Sequence, residues 1–104
     1  MAQFDVYRNP VDELREGQPY VMQLQNSFIN SPIARIAIPL ARIKAGDRPM
    51  SKLNPEIEVA GEVLVLDTLF ITSFEPSDLR RLVANLRSDA DAIWSALEYA
   101  LHGY

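Results

Sequence analysis

"EIEVAGEVLVL", residues 56–66, carries two different strand signatures on either side of one turn. In its first half Ile57 and Val59 alternate with Glu56 and Glu58, the period of two shown by a strand with one buried face. Ala60-Gly61 then makes a tight turn, and "VLVL" at 63–66 is apolar at every position, as expected of a strand covered on both faces. The stretch sets a strand-rich, antiparallel reading for its neighbours.

Upstream, "ARIAIPLARI" (34–43) places Ile36, Ile38 and Leu40 against Ala37, Pro39 and Ala41, again a strand. Pro39 has no N–H to give a ladder, so an edge or a bulge is expected there. "YVMQLQ" (20–25) sets Tyr20, Met22 and Leu24 on one face and Val21, Gln23 and Gln25 on the other. "QFDVY" (3–7) alternates Phe4 and Val6 with Asp5, a half-buried strand. The polar segment 8–19 reads as an exposed loop, 44–55 as another, and "NSFINSP" (26–32) as a connector with two bulky apolar residues, Phe28 and Ile29.

Downstream, Leu69 to Ile71 reads as a further strand. Leu79, Leu82, Val83 and Leu86 fall at helical spacing and predict a short helix started by Glu75, Pro76 and Ser77, although 83–86 reads equally well as extended. A second helix follows Ser88, whose S-x-x-D spacing to Asp91 resembles a capping start, with Asp89 and Asp91 near the positive helix end. Its apolar stripe is Ile93, Leu97, Ala100 and Leu101, with Trp94 at the margin, and Gly103 stands where a terminating glycine belongs. The outline is one domain over 1–104, five or six antiparallel strands closed by a C-terminal helix, either α+β or a small barrel.

The 104 residues are 48% hydrophobic and 23% charged, an ordinary globular balance that leaves little core to spare and makes dimerisation a natural supplement. The absence of cysteine excludes disulfides, thiolate nucleophiles and thiolate metal sites, and fits a reducing cytoplasm. No signal-like or membrane-length apolar run occurs, so a soluble protein is expected. A net charge of −4 argues against broad binding to phosphate backbones. Residues 35–52 nevertheless carry Arg35, Arg42, Lys44, Arg48 and Lys52 against Asp47 alone, either a basic patch or a solvated loop.

Catalytic chemistry finds little support. His102 is the single histidine, and its natural neighbour Glu98, four residues earlier on a helix, makes an ordinary solvated pair. Glu56 with Glu58, Asp89 with Asp91 and Asp12 with Glu13 lack the asymmetric surroundings that separate an acid from a base. The four glycines, at 17, 46, 61 and 103, form no phosphate-cradling loop. What asks for a reason is apolar bulk in polar places: Phe28-Ile29, and the terminal run Leu101 to Tyr104.

"MAQFDVYRN" at the start, "LQNSFINSPIARIAIPL" at 24–40, "LNP" at 53–55 and "ANLRSDADAIWSALEYALHGY" at the end together resemble the CcdB family of toxins, in order and over almost the whole chain. The resemblance implies a mainly β fold, an SH3-like barrel of antiparallel strands with a C-terminal helix, in a cytoplasmic homodimer without cofactor or enzymatic activity. It implies that three terminal residues, here His102, Gly103 and Tyr104, insert into the DNA gyrase A subunit and trap the enzyme on cleaved DNA. Phe28, Ile29, Glu98 and Leu101 become the adjoining contacts for gyrase and for a CcdA-like antitoxin. Toxin and antitoxin together repress their operon, with DNA reached only through the antitoxin. The best-known member has tryptophan, glycine and isoleucine at the tip, and an amide in place of Glu98. Two other readings remain: an endoribonuclease toxin of the related MazF kind, using Arg35, Arg42 and Glu58, and a non-toxic member that only binds antitoxin.

Overall fold

A computed structural model describes residues 1–103. Seven strands occur in chain order: β1 (Asp5–Arg8), β2 (Tyr20–Gln23), β3 (Arg35–Ala41), β4 (Glu56–Val59), β5 (Glu62–Leu66), β6 (Thr72–Phe74) and β7 (Leu82–Asn85). Among the described residues one α-helix, α1 (Ala90–His102), follows the strands. Every strand pairing is antiparallel, and the curled half-barrel sheet runs β4-β5-β3-β2-β1-β7 with β6 also on β3. The expected architecture holds, with more strands than the five or six anticipated.

The hairpin at 56–66 forms as its pattern demands. Ala60 (φ 52°) and Gly61 (φ 82°) both occupy the left-handed region, the geometry of a two-residue type I′ turn that matches the twist of its strands. Ile57 and Val59 point inward, while of the apolar run 63–66 in β5 only Val63, the residue nearest the turn, is exposed. Pro39 is not at an edge. It lies mid-strand in β3, at the break where β3 exchanges one partner for another: β6 ends its pairing at Ala37 and β5 begins at Leu40. The Asp67 N–H donates to Pro39 O across that break at 2.9 Å. Carbonyl and nitrogen of one strand residue face the same way, so the missing donor falls where no ladder partner stands.

Two expected elements are different. Residues 69–71 are not a strand; Thr68–Phe70 is a 3₁₀ turn that carries the chain from β5 to β6, leaving Leu69, Phe70 and Ile71 exposed. The helix expected over 79–86 is also absent. Pro76–Asp78 is a 3₁₀ turn and Leu82–Asn85 is β7, extended as the alternative had it. Leu79 and Leu86 are buried while Leu82 and Val83 are exposed, so the four apolar residues do not share a face. The unpaired edge of β1 takes β7 as its partner, and that pairing outweighs local spacing.

Smaller corrections concern the loops and the helix start. The 8–19 segment is closed around Asn9, which is buried, donates to Gln18 O and accepts from Val11 N. Asp5 is buried too, so β1 is covered on both faces, and Asn85 and the Ala2 N–H satisfy its carboxylate. Ser88 does not cap α1. It sits in a 3₁₀ turn (Arg87–Asp89) whose first N–H is accepted by Asn85 Oδ1 at 2.9 Å. The buried face of α1 is Ile93, Ala96 and Leu97, and Leu101 has left it. That face packs on Val6, Met22, Ile38, Leu40, Leu64 and Leu66 in the main core. A second cluster, Tyr7, Val21, Ala37 and Leu79, covers the opposite face of the sheet.

Candidate functional site

Phe28 is the most exposed large apolar residue of the described chain, at 96%, and it is held there by a built turn. Asn26 Oδ1 accepts the Phe28 N–H at 2.9 Å and Asn26 O accepts the Ile29 N–H at 3.0 Å. This is an Asx turn, in which a side-chain carbonyl replaces a backbone one. Two further donors secure the turn at Ile29 O: Gln25 Nε2 at 2.7 Å and Arg35 Nη1 at 3.1 Å. The other Arg35 nitrogen donates to Asn30 Oδ1. An aromatic ring in water, on a backbone pinned by four donors, is presented rather than left over. Ile33, also exposed and on the same connection, was missed by sequence reasoning; its place beside Pro32 in a polar connector was the available signal.

The other expected contacts lie on the last turns of α1. Glu98, Leu101 and His102 are exposed, Leu101 at 76%. Gly103 ends the helix in the left-handed conformation (φ 81°), its N–H donating to Tyr99 O at 2.8 Å. A Cβ there would touch nothing, so the glycine is required by its dihedral and not by crowding. Tyr104 lies outside the described residues.

The two groups attach to the body at separate points. Near the helix start, the Trp94 ring meets Phe4 edge-to-face at 5.6 Å, and Gln3, next to Phe4, donates to Leu24 O below the Phe28 connection. Toward the helix end, Lys52 Nζ stands 5.2 Å from the centre of the Tyr99 ring. Phe28 and Ile29 thus share one protrusion, while Glu98, Leu101 and His102 share one helix end.

Two of the three residues named for an endoribonuclease lie apart. Arg35 is buried and bound to the Phe28 connection, whereas Arg42 lies past the far end of β3, about 20 Å away at the rise of an extended strand. Arg42 is paired with Glu62 at 2.7 Å, which holds the Glu62 carboxyl below its ordinary range and pushes the guanidinium up. Burial of Arg35 removes it from the basic residues of 35–52, and Arg42, Lys44, Arg48 and Lys52 lie exposed in or beside the loop after β3. Two other groups titrate abnormally: burial, and then Asp5, raises the Tyr7 hydroxyl, and burial raises Asp67 against the hydrogen bond from Gln18. Among the described residues no cluster of three metal-ligating side chains occurs, and no helix is long and apolar enough to cross a membrane.

The described chain is thus a curled antiparallel sheet backed by one C-terminal helix, with apolar side chains exposed on ordered turns. The family model described as CcdB protein matches residues 3–103, and the chain belongs to the CcdB family, toxins of toxin–antitoxin systems. Comparison with curated proteins gives no match.

Proposed function

We propose that this chain is a non-enzymatic gyrase poison. His102, Gly103 and Tyr104 enter the dimerisation region of the DNA gyrase A subunit, with Phe28, Ile29, Glu98 and Leu101 as flanking contacts. The bound toxin holds gyrase on cleaved DNA and so blocks replication. A CcdA-like antitoxin covers the same residues to release the enzyme, and the pair represses its own operon in the cytoplasm. The active form is a homodimer, for which exposed Leu69, Phe70 and Ile71 supply apolar surface.

The observation that carries this reading is Phe28, almost wholly in water on a turn fixed by side-chain hydrogen bonds. Binding of this kind concentrates its energy in a few well-packed groups, and an ordered apolar tip enters a pocket with little entropy left to lose. Family membership supplies the direction of the reading.

The test is a DNA cleavage assay with purified gyrase. Full-length protein should accumulate cleaved, gyrase-bound DNA. A chain lacking Gly103 and Tyr104 should fold as before and accumulate none. Equal trapping by the truncated chain would end the proposal.

A further inference from the structure

The guanidinium of Arg35 is buried without a counter-charge. The residue is 5% exposed, and its bonds run to two neutral oxygens, Ile29 O and Asn30 Oδ1. No carboxylate among the described residues forms an ion pair with it, and its Nε is buried without an acceptor there. A cation taken out of water in this way is costly unless an anion joins it.

Sheet register opens a place for one. Arg35 starts β3 opposite Phe74, the last residue of β6, so the connection before β3 and the 3₁₀ turn after β6 leave the sheet side by side. Between them lies an open cleft of about 370 Å³, lined by Arg35, with Asn30 and Ser31 on one side and Glu75 and Ser77 on the other. Its walls are rich in donors. Ser31 Oγ already accepts the N–H groups of Ile33 and Ala34, which leaves its hydroxyl proton to donate outward. Asn30 uses its carbonyl oxygen on Arg35 and keeps its amide N–H groups. Ser77 accepts from Arg80 through its backbone, and its hydroxyl bonds no atom of the described residues.

We infer that this cleft binds phosphate, free or as the monoester group of a small metabolite, with Arg35 supplying the charge and Asn30, Ser31 and Ser77 the neutral donors. A carboxylate has two oxygens in one plane, whereas the oxygens of a phosphate surround a tetrahedron and meet donors on both walls at once. Glu75, exposed, is the one carboxylate lining the cleft, and a solvated like charge weakens such a site without closing it. A long polyanion is disfavoured by the net charge of −4. The guanidinium that takes the phosphate also holds Ile29 O, so binding fixes the turn under Phe28. The inference rests on the cleft and not on the gyrase reading.

The test is an NMR titration of the full chain with sodium phosphate at constant ionic strength, sodium chloride making up the balance. The Arg35 Nε–H signal should shift along a saturable curve with a dissociation constant on the order of millimolar, and amide exchange at residues 28–30 should slow. Glycerol phosphate separates the two sources: tighter binding than phosphate assigns the site to a monoester, weaker binding to the free ion. Glu75→Gln should tighten binding about twofold, and Ser77→Ala should weaken it about two- to tenfold, the usual range for one hydrogen bond. Both positions are exposed, so neither change disturbs the fold. Arg35→Met should abolish binding. A shift that never saturates, binding unmoved by both Glu75→Gln and Ser77→Ala, or tighter binding of acetate or of a DNA duplex would each overturn the inference.

Discussion

The guanidinium of Arg35 lies beneath the β2–β3 connection, bonded to Ile29 O and Asn30 Oδ1, with its Nε buried and unpartnered among the described residues. Incomplete satisfaction makes it a poor source of global stability, because burying a charge offsets much of what its hydrogen bonds contribute. Its effect is local: it fixes the turn that displays Phe28. Arg35→Met should therefore cost only about 1 kcal/mol in a thermal melt, the size of a partly compensated hydrogen bond. Hydrogen exchange at residues 28–30 should accelerate and gyrase trapping should decline. Unchanged exchange there would show that the arginine positions nothing. Asp67 makes a second prediction at this scale. Burial raises its carboxyl, so the folded state favours the protonated form. Its folding contribution is therefore most favourable at acid pH and is lost as pH rises through the folded pKa. Asp67→Asn, which keeps an acceptor for the 3.1 Å bond from Gln18, should melt higher than wild type at neutral pH. The advantage should vanish in acid, and chemical denaturation at both pH values measures it.

The hairpin at 56–66 shows what an element owes to its own residues. Ala60 sits at φ 52° at the first position of a turn where asparagine is preferred. A non-glycine residue there bears a left-handed penalty that asparagine relieves through local hydrogen bonding. Ala60→Asn should raise stability by about 0.5–1 kcal/mol, read as a higher urea midpoint at constant slope. This turn was legible because its chemistry is local, as were the alternations of β2, β3 and β4 and the glycine stop at 103. The elements that were not legible depend on distant partners. Leu79 to Leu86 has helical spacing, yet β1 needs a neighbour and β7 is the strand that reaches it. Leu69 to Ile71 reads as a strand because it is apolar, but the chain must step there between two partners of β3, and only a compact turn makes that step. The same limit hid the meeting of Arg8 with Arg81, whose backbones join only through sheet register. Phe28 and Ile29 stood out because an apolar pair in a polar connector is conspicuous in one dimension, but whether they tuck inward or face water required the fold, as did the contacts of Arg35.

Across the whole molecule, the residues that hold the fold and those proposed to meet a partner are different sets, and this separation is measurable. Ile38, Leu64 and Leu66 are fully buried where α1 closes the sheet, while Phe28 contributes almost no buried area and Leu101 only a small part of its own. Truncating a core residue removes transfer energy and leaves a cavity, so Ile38→Ala should cost about 2–5 kcal/mol. A domain of this kind has only about 5–15 kcal/mol in total, so that variant should be partly unfolded near physiological temperature. It would lose activity by losing structure; a stabilising second-site change should restore both, whereas a bound antitoxin would restore the folded population alone by mass action. Phe28→Ala should be neutral to within about 0.5 kcal/mol, as exposed substitutions generally are, yet should fail to trap gyrase. Paired melts and cleavage assays separate the two cases, because stability and activity should fall together for Ile38→Ala and activity alone for Phe28→Ala. A Phe28→Ala protein that melted several degrees lower would place the ring in the packing of the folded chain, and the exposed turn would then be a structural feature and not a contact surface.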